Sequence, residues 1–345
     1  MWLISLRDLQ WRRRRFAIAV VATGLVFGIT LLLAGMNSSF SNEVDRTVSS
    51  FRADSWIVPK AAEGPFTTSA AFPSSVATDV ARLPGVREAD PMVLARVTVP
   101  GSPPTDLIVF GTVINGIAPR ATAGRDVRRS GEIVVDTKLG MNIGQTLVFA
   151  GRQFKIVGTY DGRTILAGTP TTVVSIQDAR AVSFDGQPLA TSVMTRGVPR
   201  SAPPNYRVLT STQAAADLRR PLKSATGTIG IFIVLLWIIA AGIIGSIVYL
   251  TVIERTRDFA VLKATGIASR GLFMSLAIEA VVIALAAAIV ATVMAVGLHS
   301  MLPMRVEIST ASYVELVGIS VLVGLLASLV GLRRAVGVDP ALAFG

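Results

Sequence analysis

Apolar residues come in four long runs, and charge is confined to the stretches between them. No charged side chain stands between Arg15 and Glu43, or between Lys223 and Glu254. Between Arg270 and Arg305 the single exception is Glu279, and between Glu315 and Arg333 the residues are mostly Val, Leu, Ile, Gly and Ala. A bilayer core of ~30 Å needs about 20 apolar residues in helix. All four runs qualify, the fourth by starting near Tyr313, an aromatic suited to the membrane interface. The pattern predicts transmembrane helices over 16–36, 228–252, 272–297 and 313–332. Sheet is excluded there, because open edges leave backbone groups unsatisfied in lipid.

The segment 37–227 follows a different rule. Short β-branched runs bounded by Pro or Gly predict strands at 57–58, 93–99, 107–113, 133–135, 146–149, 154–157 and 172–176. Ala150-Gly151-Arg152-Gln153 reads as a tight hairpin. Helices are expected from Ser74 to Leu83, ended by Pro84-Gly85, and from Ser211 to Leu218, capped by Ser211 or Thr212. Gly197 to Pro204 reads as a surface loop. At the margins the helical pattern of the first span continues through Phe40, Val44 and Val48, and Ala214 to Lys223 leads into the second span. The fold class is therefore a four-helix membrane protein. A large extracytoplasmic α+β domain stands on a helical stalk between helices 1 and 2.

Composition agrees. The 345 residues are 51% apolar and 16% charged, with mean hydropathy +0.60, against about 25% charged in a typical soluble domain. A disordered chain, a collagen-like chain and an ordinary soluble enzyme are excluded. The net charge of +11 would suggest nucleic acid in a soluble protein. Here it sets topology instead, and no nucleic-acid partner is expected. Basic residues crowd the segment 1–15 (Arg7 and Arg12 to Arg15), the loop 253–271 (Arg255, Arg257, Lys263, Arg270) and the tail 333–345 (Arg333-Arg334). The outer loop 298–312 carries Arg305 alone. Both termini and the 253–271 loop are thus expected in the cytoplasm. The runner-up is the inverted topology. The first run is too long for a signal-peptide core of about 7–15 residues, so it reads as an uncleaved anchor. Trp2, Leu6, Leu9 and Trp11 would lie in the interface beside it.

Candidate chemistry is sparse. There is no cysteine and one histidine, His299, so no thiolate or histidine metal site is expected and no serine has a histidine to activate it. No catalytic residue and no bound cofactor are expected. Glu279 is a carboxylate within a span, where charge is costly and commonly functional or paired; it could equally be shallow enough to snorkel. Gly24 with Gly28, and Gly242, Gly245 and Ser246, are small-residue patches suited to close helix packing. The loop 253–271 contains no helix breaker before Gly266, and Phe259, Leu262 and Ile267 project off a short helix that is otherwise charged. Such a helix either lies in the lipid headgroups or inserts into a groove of a cytoplasmic partner.

That loop resembles the coupling helix of FtsX-like permeases, the family of MacB, LolC, LolE and DevC-type exporters. The resemblance rests on Glu254-Arg255 and the run Asp258-Phe259-Ala260-Val261-Leu262-Lys263-Ala264 with Gly266 after it. The order of parts matches too. The tail from Arg333-Arg334-Ala335 to Asp339-Pro340-Ala341-Leu342-Ala343 resembles the family's C-terminal signature. The block Gly131-Glu132-Ile133 to Leu139-Gly140, Gly144 and Phe154 to Gly158 resembles its small β-rich outer subdomain. Asp258 stands where a Glu is usual. Unlike MacB, the chain has no Gly-Lys dipeptide and so no P-loop.

The resemblance implies a permease in the bacterial cytoplasmic (inner) membrane, paired with a second copy or a related permease. A separate ABC ATPase, carrying ATP and Mg, would dock under Phe259, Val261 and Leu262. Its closure would drive movement of the outer head, with export or extraction as the result. An extracytoplasmic partner is left open. The alternative is an FtsX-like regulator that switches a cell-wall hydrolase or sensor kinase and moves nothing. A membrane-anchored adhesion module with no ATPase is the third reading.

Overall fold

The computed structural model describes residues 13–67, 70–101, 103–256, 261, 269–298, 306 and 308–336. They divide into two compact units. One holds the residues up to Ser39 and those from Ala225 onward; the other is the head, Phe40–Ser224.

In the helical unit, α1 (Arg13–Ser50), α5 (Lys223–Glu254), α6 (Ser269–Leu298) and α7 (Thr310–Val336) are each long and apolar enough to cross a membrane. Their shared core has an alanine seam. Ala280, Ala284, Ala287, Ala291 and Ala295 of α6 are buried against Ala19, Phe27 and Leu31 of α1, Ile244 and Val248 of α5, and Val323 and Ala327 of α7. Hydrophobicity does not drive helices together in lipid, so close van der Waals fit must do so, and small side chains permit it. A Cβ at Gly324 of α7 would stand 3.0 Å from Val281 Cα and 3.1 Å from the Ala280 carbonyl. Phe27 and Trp237 add a ring contact at 5.1 Å between α1 and α5. Of the four, α5 is the least covered, with Ile231, Phe232, Ile238 and Leu250 exposed.

The head elements between α1 and α5 are β1 (Ser55–Pro59), β2 (Phe72–Pro73), α2 (Val76–Ala81), β3 (Glu88–Val99), β4 (Thr105–Thr112), β5 (Ala123–Gly124) and β6 (Glu132–Asp136). Then come β7 (Thr146–Phe149), β8 (Arg152–Tyr160), β9 (Thr164–Ile165), β10 (Thr169–Ser175), α3 (Ile176–Ser183), β11 (Leu189–Ala190), β12 (Ser192–Arg196), β13 (Tyr206–Thr210) and α4 (Ser211–Arg219). The main sheet runs β13-β1-β12-β3-β4-β10-β6-β8-β5, with β7 on β8 and β9 on β10. The pairs β10–β4 and β6–β8 are parallel.

The twelve-residue β3 joins two halves: Glu88 to Met92 pair with β12, and Val93 to Val99 pair with β4. Each half has its own core. Val93, Leu107, Ile133, Phe149, Phe154 and Ala179 pack in one, and Ile57, Phe72, Val80 and Val193 in the other. The β7–β8 turn is the two residues Ala150 and Gly151, at φ +48° and +68°, and Phe149 pairs directly with Arg152. Two left-handed residues match the twist of the flanking strands.

Two helix ends differ from the sequence expectation. The cap of α4 is Thr210, whose Oγ1 accepts from the Gln213 amide at 3.3 Å, while Gln213 Oε1 accepts from the Thr210 amide at 2.9 Å. That reciprocal pairing satisfies two donors and places the helix start one residue earlier. The strand expected to end at Ile176 instead stops at Ser175, which caps α3 by accepting from the Asp178 amide at 3.1 Å.

Candidate functional site

The residues proposed to face a cytoplasmic partner begin where α5 ends. Glu254 is the last residue of α5, Arg255 makes a turn, and helix resumes at Thr256. The Thr256 hydroxyl donates to the carbonyls of Val252 and Ile253 at 3.1 and 2.7 Å, which ties Thr256 back to the last turn of α5. Val261 is helical and exposed. Asp258, Phe259, Leu262, Lys263 and Gly266, like His299, lie outside the described residues.

Glu254 does more than mark the loop's start. Its Oε1 accepts from Arg15 Nη1 at 2.5 Å, so the end of α5 is tied to the start of α1. Both side chains are roughly one-third exposed or more. Such a pair contributes about 0–1 kcal/mol, so its value is positional. The Arg12 to Arg15 run reads from sequence as a topology signal only. A link to a residue more than two hundred positions away leaves no local signature.

One turn deeper, Thr251 is buried, and its hydroxyl donates to Glu279 Oε1 of α6 at 3.4 Å and to the Ile247 carbonyl at 3.0 Å. Glu279 is half-buried. The intramembrane carboxylate therefore faces a hydroxyl on a neighbouring helix, which suits a charge held at a helix interface.

The small-residue patches differ from one another. A Cβ at Gly24 would stand 2.8 Å from Val290 Cγ1 and 3.2 Å from the Ala287 carbonyl, and one at Gly28 3.6 Å from Met294 Cβ. This is the close approach of α1 to α6. On α5, Gly245 is buried, but Gly242 and Ser246 are exposed, and nothing lies within 4 Å of a Cβ at Gly242. Among the described residues those two form no packing seam. Their four-residue spacing puts them on one face, and that face is turned away from the other helices. Gly324, which sequence reading passed over, is in closer contact than Gly28.

In the head, the outward end of α1 is built into the fold. Val44, Val48 and Phe51 are buried, and the Glu43 carboxylate accepts from the amides of Ala167 and Gly168 at 3.2 and 2.8 Å. Leu166, Ala167 and Gly168 are all at positive φ, a costly run for non-glycine residues that Glu43 helps to hold. The start of α4 to α5 is pinned similarly: buried Asp217 accepts from the Phe66 and Thr67 amides at 2.9 and 3.2 Å. Glu132, also buried, accepts from Arg125 Nη2 at 2.6 Å, Arg129 Nε at 2.9 Å and the Arg128 amide at 3.0 Å. The Arg125 hydrogen bond leads in lowering its pKa, from 4.5 to about 2, against the opposing effect of burial. Among the described residues no three His, Cys, Asp or Glu side chains gather to hold a metal.

Comparison with known proteins bears on this geometry. Residues 17–216 match the MacB-like periplasmic core domain family, and residues 230–340 match the FtsX-like permease C-terminal family. An ABC transporter permease of Mycobacterium bovis is 42% identical over 347 residues, covering 100% of this chain and 99% of that one. A second, from Mycobacterium tuberculosis strain H37Rv, is 39% identical with the same coverage. The crystal structure of the periplasmic region of MacB from Actinobacillus actinomycetemcomitans superposes with a TM-score of 0.34 at 10% identity. It covers 48% of this chain and 92% of that one. The extracellular domain of YknZ from Gram-positive bacteria gives 0.34 at 13% identity, covering 46% and 99%.

Proposed function

We propose that this chain, which belongs to the FtsX/MacB-type ABC transporter permeases, is the membrane subunit of a complex powered by a separate cytoplasmic ATPase. ATP and Mg are held on that partner. The segment after Arg255 is the docking element, with Phe259, Val261 and Leu262 entering a groove of the ATPase and Glu254, Arg255, Asp258 and Lys263 at its rim. The chain sits in the bacterial inner membrane with both termini in the cytoplasm.

The observation that carries this reading is α1. It is one unbroken helix of 38 residues, roughly 57 Å long at 1.5 Å per residue. Arg15 near one end is paired with Glu254 at the threshold of the docking loop. Val44, Val48 and Glu43 near the other end are locked into the head. On this reading, a displacement imposed on the loop is carried by α1, whose residues 40–50 belong to the head. Work is done outside without a hydrophilic pore, and the result is export or extraction of a substrate. Two such chains pair, and the bare face of α5 around Gly242 and Ser246 is the surface offered to the second copy or to a related permease.

The test is co-expression with the ATPase encoded beside the chain and purification in lipid nanodiscs. Phe259→Asp/Leu262→Asp is expected to release the ATPase and abolish stimulated hydrolysis while leaving the permease folded. Retention of the ATPase by that variant contradicts the docking assignment. The chain lacks cysteine, so Gly242→Cys supplies a single thiol, and oxidative cross-linking in native membranes reads the pairing face directly.

A further inference from the structure

The head contains a cavity of about 290 Å³ beside the outward end of α1, lined by Arg46, Arg52, Arg120, Arg163 and Asp161, with two serines completing the wall. Three stretches of chain converge on it. Arg46 lies near the end of α1 and Arg52 just past it, Arg120 precedes β5, and Arg163 sits in the turn between β8 and β9. Four guanidiniums thus face one space with one carboxylate, and that carboxylate, Asp161, already accepts from Thr137 Oγ1 at 2.7 Å.

Helix electrostatics alone does not gather these four arginines. The carbonyl end of a helix attracts cations, but it carries only about half a charge. Two of the last carbonyls of α1 are moreover taken by hydroxyls, since Ser49 Oγ donates to the Arg46 carbonyl at 3.1 Å and Ser50 Oγ to that of Thr47 at 2.7 Å. Like charges in a partly enclosed space repel one another. Burial, first, and the Arg52 charge, a smaller cause, push the Arg163 pKa below its ordinary value, against the opposing pull of Tyr160, Asp136 and Asp126. Arg52 is also held at φ +55°, its amide donating to the Ser49 carbonyl at 3.1 Å. Glycine normally fills such a position, because a side chain there is strained.

The inner pair is fixed before any ligand arrives. Arg120 Nη1 donates to Asp126 at 2.9 Å. Arg163 Nη1 donates to the Arg120 carbonyl at 2.8 Å, and its guanidinium lies 4.7 Å from the Tyr160 ring centre. The outer pair, Arg46 and Arg52, is exposed at the mouth. Planar forks held in place over a basic concavity are the arrangement that recognises tetrahedral oxyanions with paired hydrogen bonds. A concave surface of one sign also concentrates anions. The volume lies near the lower end of small-molecule sites, which suits a phosphate group with a small substituent.

We infer that this cavity is a binding site for a phosphate-bearing anion, gripped by Arg163 and Arg120 within and closed over by Arg46 and Arg52. The phosphate belongs either to a soluble ester or to a lipid headgroup, and the two sources are separable.

The experiment uses the full chain in nanodiscs of phosphatidylcholine. Inorganic phosphate and pyrophosphate are titrated by calorimetry and thermal shift at constant ionic strength set with chloride. A parallel arm replaces part of the lipid with phosphatidylglycerol. The variant Arg46→Gln/Arg52→Gln is compared with Arg82→Gln/Arg152→Gln, which removes the same charge from exposed positions outside the cavity wall. Saturable phosphate or pyrophosphate binding, weakened about tenfold or more in the first variant alone, assigns a soluble ester. Stabilisation only in phosphatidylglycerol discs, lost in the same variant, assigns a headgroup. No response to either source, or equal weakening in both variants, overturns the site. Because both substituted arginines are exposed, the variant folds. If its melting temperature without ligand nevertheless falls by several degrees, Arg46→Lys and Arg52→Lys, which keep the charge and lose the fork, supply the comparison.

Discussion

Gly24 and Gly242 look alike in the sequence and differ in the molecule. Each is a glycine in a membrane helix with a small residue four positions on. Only Gly24 meets a neighbour, and a Cβ there comes within 2.8 Å of Val290. Gly24→Leu should therefore lower stability by about 1–3 kcal/mol through overpacking, whereas Gly242→Leu should leave the melting temperature of the isolated chain unchanged. Thermal unfolding of the two variants in detergent separates them; a loss on Gly242→Leu equal to that on Gly24→Leu would put the second glycine at an intrachain interface after all. Spacing identifies small faces, but which face meets a neighbour is a tertiary fact. Glu132 makes the corresponding case in the head. Its pKa is lowered to about 2, so its ion pairs contribute fully above the ordinary 4.5 and fade as pH falls through that window. The melting-temperature advantage of wild type over Glu132→Gln should hold at neutral pH and shrink between those values. Asp90, whose pKa burial pushes up, works in the opposite direction and is common to both proteins, so the difference isolates Glu132. An advantage that persists unchanged at the lowest pH would remove the ion pair as its source.

Helices were more legible than strands. The four apolar runs, and the continuation of α1 through Phe40, Val44 and Val48, follow from periodicity, and all three of those side chains are buried. Strands with β-branched cores, such as β4, β6 and β8, announce themselves. By contrast, β12 is Ser-Val-Met-Thr-Arg, with Ser192 and Thr195 fully buried. A strand buried on both faces, with polar side chains among the buried ones, shows no alternation to read. Ser55 and Thr195 pair across the sheet, hydroxyl to hydroxyl at 2.6 Å. The same limit hid the aromatic knot at the end of α1. Phe51 packs against Trp56 at 5.2 Å and Phe110 at 5.0 Å, edge to face, and against Phe66 at 6.1 Å, so its partners come from three different segments. Phe51→Ala should cost about 3–5 kcal/mol and loosen residues 40–50 first. Hydrogen exchange of that stretch in the full-length protein measures it, and protection equal to wild type would show that α1 is anchored elsewhere.

The whole chain turns on whether motion made at the 253–271 loop reaches the head. The family and the four-helix class with an inserted head were readable from apolar runs and a short motif. The contacts Arg15–Glu254, Glu43 with the 166–168 turn, and the arginine cavity were not, because each joins residues distant in sequence. The decisive observation is a distance in the head that responds to nucleotide on the ATPase. Since the chain has no cysteine, Arg152→Cys on the exposed β7–β8 hairpin takes a single spin label, and the label-to-label distance between paired permeases is measured with the ATPase empty and trapped with ATP. A shift of the distance distribution on trapping, abolished by Phe259→Asp/Leu262→Asp, is the expected result. A distribution that ignores nucleotide, while the ATPase remains bound and active, would contradict mechanical coupling through α1.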